Sequence, residues 1–346
     1  MGATRCAALK EIGEEMNLTA HDKSAVPLRA LELFCGIGGF AAAVAGANVR
    51  VVGALDQDQA ALETYRLNHP DHGARAVDLE RVSAWELTAG GIDLWWLSPP
   101  CQPYSERGVR RDLADPRAAS LIHILELLSR IPDDLLPRHL ALENVAGFVG
   151  SEAHGRLTEQ LATRGFTLRE RLLCLTELGI PSRRPRYYLA ASREPLRVEA
   201  PLTPLSRRPL SAYLDPRIEE EIPDDLLLPA DVLERFGKGL PILDPADPAA
   251  VTTCFTSGYG RSLSGSGSYL RCVEGVRRFA PEEIARLLHF PPGFHFPVGL
   301  SQRKRWQLVG NSLSVAAVRE VLRAFPALEL AAFSDEPAER TPPCPN

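Results

Sequence analysis

The chain has 346 residues, 45% hydrophobic and 24% charged, with 26 Gly and 29 Pro. This is a globular composition that excludes a collagen-like or wholly disordered chain and leaves room for one large domain and a smaller one. A formal charge of −5 excludes a histone-like coat of positive charge but not a local basic cleft. The seven cysteines are scattered, with no CxxC pair and no Cys/His metal spacing, which argues against a disulfide framework and against any metal site.

Residues 1–26 read as a flexible polar extension, and 334–346 as a disordered Pro-rich tail. LRALELF at 28–34 predicts a strand, followed by a Gly-rich turn and the Ala-rich helix start FAAAVAGA. VRVVGAL at 49–55 predicts a second strand and 59–67 a helix; IDLWWLS at 92–98 and HLALENV at 139–145 predict two more strands, separated by a helix over 120–129. LLCLTELGI at 172–180 and RYYLAAS at 186–192 complete the strand set. Strands alternating with helices predict an α/β fold, a mostly parallel sheet with helices on both faces. The rhythm breaks near Pro195, so 27–194 reads as one domain and 195–276 as a second, smaller one. Helical pattern returns over 281–288 and 313–325, within a segment 277–333 that reads as returning to the first domain. No apolar run reaches the roughly 18 residues of a membrane span, and the N-terminus carries no signal-peptide pattern. A cytoplasmic chain without membrane contact is the expectation.

Three segments carry chemistry. Phe34-Cys35-Gly36-Ile37-Gly38-Gly39-Phe40 follows a strand and opens a helix, with Asp56 ending the next strand. Glycines let a ligand approach the backbone, the helix N-terminus offers free N–H groups, and the acid suits ribose hydroxyls. The pattern indicates an adenosine-type cofactor without separating a nicotinamide dinucleotide from S-adenosylmethionine. Ser98-Pro99-Pro100-Cys101-Gln102-Pro103 ends the third strand, where open α/β sheets bind ligands. Its prolines fix the loop, and Arg107, Arg110 and Arg111 downstream would favour a thiolate. Glu143-Asn144-Val145 ends the fourth strand at the same edge.

FCGIGGF, PPCQPYS, ENV, RRPR, RRFAPEEIARLLHFP and GNSLSV occur in that order over residues 28–325. Together they resemble the ordered motifs of the cytosine-5 methyltransferases. Cys254-Phe255-Thr256, Gly258-Tyr259-Gly260, LGIPSRRPRYY and DPRAASLIHIL, with a short segment between Ser192 and Arg278, resemble the branch that methylates the tRNA anticodon loop. The resemblance implies a Rossmann-like class I methyltransferase sheet (27–194) with a small target-recognition domain (195–276). It also implies S-adenosylmethionine as cofactor, with S-adenosylhomocysteine as product, and tRNA as partner, cytosine 38 of tRNA-Asp or tRNA-Glu being the target. DNA is the alternative substrate and an inactive nucleic-acid-binding homologue a further alternative; a monomer is the expected state. Ser182 departs from the Gln usual in DNA-modifying relatives.

Cytosine C5 is too weak a nucleophile to accept a methyl group until a thiolate adds to C6. The resemblance assigns that addition to Cys101, the N3 contact to Glu143, and the ring O2 to Arg184 and Arg186. It places the cofactor on Phe34, Gly36, Ile37, Gly38, Asp56, Gln57, Asp78, Leu79, Pro99, Asn311 and Val315. Gln102, Ser105, Arg107, Cys254, Phe255, Thr256 and Tyr259 would face the substrate. Arg107–Arg111, Arg183–Arg186, Arg277-Arg278 and Arg303-Lys304-Arg305 are candidate phosphate contacts.

Overall fold

A computed structural model describes residues 26–105, 111–198 and 206–331. The extension up to residue 25, the tail from 332 and the cations Arg107 and Arg110 lie outside the described residues. A seven-stranded sheet forms the centre, in the order β3-β2-β1-β4-β5-β7-β6. Its strands are β1 (Leu28–Leu33), β2 (Val49–Asp56), β3 (Ala74–Ala76), β4 (Leu94–Leu97), β5 (His139–Val145), β6 (Thr167–Leu173) and β7 (Arg186–Ser192). The first five run parallel; β7 is antiparallel to both β5 and β6.

Helices α1 (Gly39–Ala43), α2 (Gln59–Asn68), α3 (Ala84–Thr88), α4 (Ala119–Arg130) and α5 (Glu152–Thr163) connect these strands. In β4 the alternation of a strand divides LWWL between two cores: Leu94 and Trp96 join one apolar cluster, Trp95 and Leu97 the other. Both indoles are fully buried and satisfied, Trp95 Nε1 donating to Leu87 O at 3.1 Å and Trp96 Nε1 to Ser98 Oγ at 2.8 Å.

The sheet departs from the sequence reading at two strands: the short β3, Ala74–Ala76, adds a seventh strand to the expected six, and the sixth is shifted. The sixth strand is Thr167–Leu173, not 172–180, and Leu175–Leu178 forms a 3₁₀ turn. Glu177 accepts from the Cys174 backbone N–H at 2.7 Å and so caps that turn. As an edge strand with Thr167, Glu170 and Leu172 exposed, TLRERLL lacks the apolar run expected of buried parallel strands.

The second unit comprises α6 (Pro216–Glu220), α7 (Ala230–Phe236) and a small sheet of β8 (Ile242–Leu243), β9 (Tyr269–Cys272) and β10 (Gly275–Arg278). Helices α8 (Pro281–Leu287), α9 (Gln302–Asn311) and α10 (Val315–Leu322) follow. Phe255, Tyr259, Tyr269, Phe279 and Trp306 bury themselves in the same cluster as Leu28, Phe40 and Trp96, so the small sheet shares the core of the large one. Helix α10 closes onto α1, with Arg319 Nη1 donating to Ala43 O at 2.7 Å.

Candidate active site

The carboxyl ends of β1, β2, β4 and β5 form one edge, and the order of strands reverses between β1 and β4, the usual ligand crevice of such sheets. The Gly-rich turn leaves β1 here. Phe34, Gly36 and Gly38 take φ of 57°, 52° and 87°, a left-handed path that exposes backbone. At Gly36 a Cβ would meet no heavy atom within 4 Å, whereas at Gly39 it would lie 2.4 Å from Leu313 Cδ1. The first glycine therefore leaves an open cradle, and the last lets the segment after α9 pack against the turn.

Asp56 ends β2 beside this cradle. Its carboxylate accepts from the N–H of Gly36 at 2.8 Å and of Asp58 at 2.9 Å. Burial pushes its pKa up against those two donors, and remaining lone pairs can receive further hydroxyl donors. Gln57 is exposed on the rim. Ile37, Leu79, Pro99 and Val315 are buried, so they can offer only backbone or the base of a pocket. Asp78 caps its own turn, accepting from Glu80 N at 3.0 Å and lying 3.5 Å from Arg81. Asn311 ends α9 and is exposed; the capping of α10 falls instead to Ser314, which accepts from Ala317 N.

Cys101 opens a 3₁₀ turn, Gln102–Tyr104, directly after β4, with Gln102 and Ser105 partly exposed. Burial raises its thiol; the guanidiniums of Arg186 and Arg184 pull it down and Glu143 pushes it up. The cations acting on the sulfur thus come from the RRPR segment. Downstream, Asp112 has a φ of 51° and accepts from Glu152 N at 2.6 Å, tying the end of this loop to the start of α5.

Glu143, 9% exposed, lies 3.2 Å from Arg186 Nε. Burial pushes its carboxyl up, opposed by Arg186 and Arg184. Beside it, Asn144 Nδ2 reaches Pro99 O at 3.4 Å, joining the β5 end to the cysteine loop. Antiparallel β7 explains how a residue that precedes a strand meets residues that follow strands. Its first residue, Arg186, is in register with Val145, the last of β5.

Arg184 and Arg186 take different tasks. Arg184 is 4% exposed; Nη1 donates to Phe255 O at 2.8 Å and to Cys254 Sγ at 3.3 Å, while Nη2 donates to Gly310 O at 3.3 Å and to Ser312 O. These acceptors occupy both terminal nitrogens and leave only the buried Nε without a partner, so Arg184 is spent on the protein's own backbone, and of the two it is Arg186 that lies against Glu143. Arg186 Nη2 lies 3.6 Å from the same sulfur.

The wall opposite comes from residues 252–256. Ser182 and Thr252 form a bridge, with Arg183 N donating to Thr252 O at 2.8 Å and Thr252 N to Pro181 O at 2.9 Å. At Ser182 the backbone does the work, and it sets Cys254 beside both arginines. Phe255 and Tyr259, expected to face substrate, are core residues instead. The Tyr259 hydroxyl donates to Ser268 O at 2.7 Å and accepts from Phe279 N at 3.0 Å. Thr256 remains partly exposed and holds its turn, accepting through Oγ1 from Gly258 N at 3.3 Å.

The cation list contracts as well. Arg277 is fully buried between Glu219 and Glu283, Lys304 pairs with Asp58 at 2.7 Å, and Arg305 reaches Glu282 at 3.4 Å. Arg111, Arg183 and Arg303 are exposed. Sequence reasoning missed two features: the shared sulfur of Cys254, and Gly310, where a Cβ would lie 2.3 Å from the Thr256 carbonyl carbon and oxygen. The sequence signal for the second is its place as the first residue of GNSLSV, a glycine late in a helix.

Sheet order and ligand edge together define a class I S-adenosylmethionine-dependent methyltransferase. The family model described as C-5 cytosine-specific DNA methylase matches residues 28–229, and the chain belongs to that family. It is 32% identical to the tRNA (cytosine(38)-C(5))-methyltransferase of Rattus norvegicus, across 86% of this chain and 98% of the relative. Among solved structures, the S. pombe Dnmt2 methyltransferase superposes with a TM-score of 0.74 at 28% identity, covering 86% of this chain and 97% of that one. The Entamoeba histolytica methyltransferase EhMeth gives 0.76 at 25% identity, with the same coverage.

Proposed function

We propose that this chain transfers the methyl group of S-adenosylmethionine to C5 of a cytosine in a tRNA anticodon loop, position 38 of tRNA-Asp or tRNA-Glu. The observation that carries this reading is the buried pair of Glu143 and Arg186, 3.2 Å apart, electrostatically coupled to Cys101 at the sheet edge. The names of the relatives favour tRNA over DNA.

The residues fit the cofactor: an open glycine cradle at Gly36 and a carboxylate at Asp56 lie on adjoining strand ends. When bound, S-adenosylmethionine supplies an electrophilic methyl group. The chain's own task is to make C5 nucleophilic. The Cys101 sulfur, as thiolate, bonds to C6, and the ring's electron pair becomes an enamine at C5. Glu143, its carboxyl raised by burial, donates a proton or hydrogen bond at N3 as charge develops there. Arg186 meets the ring O2. After methylation the C5 proton leaves and the sulfur is expelled from C6. A base in a stacked helix cannot reach this edge, so the target is everted or already unstacked, as in an anticodon loop.

The test is labelled-methyl transfer to total tRNA and to duplex DNA, with 5-fluorocytosine tRNA as a trap. The expected result is label on tRNA and a covalent adduct with wild type that Cys101→Ala does not form. Label on DNA alone would overturn the substrate, and an adduct with Cys101→Ala the nucleophile.

A further inference from the structure

Two guanidiniums and one carboxylate are packed together at the start of β7. Arg184 is 4% exposed, and the side chains of Arg186 and Glu143 are 13% and 12% exposed. Among the described residues, two cations against one carboxylate leave one positive charge without a charged partner in a dry place, an expensive arrangement. The carbonyls of Phe255, Gly310 and Ser312 solvate Arg184 but cancel no charge. The remaining acceptor is Cys254 Sγ, which receives Arg184 Nη1 at 3.3 Å and Arg186 Nη2 at 3.6 Å. A neutral thiol is a weak acceptor. Its own donor contact would be Phe255 O at 3.5 Å, an oxygen already taken by Arg184 at 2.8 Å.

We propose that Cys254 is the second anion of the site, a thiolate shared by Arg184 and Arg186, and that it acts as a positioning residue for the reaction. It is neither a nucleophile nor a contact to the base. The titratable groups around it are Arg184 and Arg186, and, through Arg186, Glu143, Cys101 and the buried Tyr188. Burial alone would raise the Cys254 thiol, but the two guanidiniums outweigh it and the net direction is down.

The consequence falls on Glu143. In the reading given above, which this inference deepens, Glu143 must carry a proton while it faces N3. Protonation breaks its charge pairing with Arg186. With Cys254 anionic, Arg186 keeps a counter-ion through that step; with a neutral residue there, Arg186 holds Glu143 as carboxylate and also drags the Cys101 thiol down. Both limbs of a pH–rate profile then move toward acid.

The experiment uses the full chain as wild type, Cys254→Ser and Cys254→Asp. Thiolate absorbance near 240 nm is measured without substrate, so it is independent of which nucleic acid is modified. In a Cys101→Ala background, which removes the other thiol these arginines act on, Cys254 is expected to give one more thiolate near pH 7 than Cys254→Ser does, lost on denaturation. In methyl transfer to tRNA, the kcat optimum of Cys254→Ser is expected to fall by about one pH unit, a loss of roughly tenfold on the alkaline side. KM for tRNA stays within about twofold, the 5-fluorocytosine adduct still forms, and Cys254→Asp restores the optimum. Equal absorbance with and without Cys254→Ser in the Cys101→Ala background across pH 5–9 would overturn the proposal, as would a raised KM with an unmoved pH profile in the variants that keep Cys101. Should neither variant fold, the absorbance of Cys101→Ala alone decides. A thiolate titrating below the ordinary thiol range and abolished by denaturant is required. If no substrate is methylated the functional reading fails, while the absorbance result stands on its own.

Discussion

Gly310→Ala separates packing from ligand space. A Cβ at 310 would lie 2.3 Å from the Thr256 carbonyl carbon and oxygen and 2.6 Å from Ser257 N. All three atoms are backbone, so α9 must move away from the 254–257 segment. Overpacking costs typically 1–3 kcal/mol, and more where backbone must shift; alanine returns about 1 kcal/mol of helix propensity. A net loss of about 2 kcal/mol follows, which in a chain of this size lowers Tm by roughly 4 °C. The same shift pulls Gly310 O and Ser312 O off Arg184 Nη2 and loosens the arginine pair, so kcat is expected to fall tenfold or more. Gly36→Ala is the contrasting perturbation. There a Cβ meets nothing within 4 Å and only the φ of 52° is strained, about 1 kcal/mol. Its expected signature is a rise of more than tenfold in Kd for S-adenosylmethionine with a small Tm change. Calorimetric melting and isothermal titration read both. A Gly310→Ala protein that melts within 1 °C of wild type and keeps its kcat would refute the close approach of α9.

Three further outcomes can be checked. Burial pushes Glu32 up to about 8, with Tyr65 donating to it at 2.9 Å. The unfolded chain releases this proton near the ordinary carboxylate value, so folded stability is expected to fall by at most about 1.4 kcal/mol per pH unit between roughly pH 5 and 8 and then level off. Glu32→Gln should flatten that slope in urea titrations. Arg277→Ala leaves Glu283 buried without its cation and is expected to cost about 3–5 kcal/mol, whereas a protein that keeps its Tm but loses tRNA affinity would return Arg277 to the RNA surface. Arg183→Ala removes an exposed cation beside the 252–256 wall; tRNA Kd is expected to rise and the slope of log Kd against log salt to fall by about 0.7–0.9, measured by filter binding at several salt concentrations.

The residues that sequence made legible are those whose position follows from strand ends. Phe34 to Gly38, Asp56, Cys101 and Glu143 each leave a strand at one edge, and periodicity locates such edges. Arg186 was legible only through its motif, because an antiparallel strand reverses which end counts. What was hidden depends on distance across the fold. Cys254 meets Arg184 across 70 residues of chain, and no local pattern announces that. Phe255, Tyr259 and Arg277 misled for a related reason: motif resemblance put the two aromatics on the substrate and charge alone put the arginine on phosphate, and only packing shows the three to be core. The sixth strand was misplaced because its centre, Arg169-Glu170-Arg171, is three charged residues in a row, which an edge strand tolerates and an apolar-run criterion passes over.

The closing of α10 onto α1 has a temporal consequence. The Gly-rich turn is among the earliest parts of the described chain to leave the ribosome, yet Leu313 and Arg319, which pack against Gly39 and Ala43, emerge some 270 residues later. At about 5–20 residues per second, the nascent protein spends many seconds with the flank of its first helix uncovered. During that interval the Gly-rich turn lacks the side chains that pack against it, so its final packing waits on synthesis through residue 319 and not on assembly of the sheet.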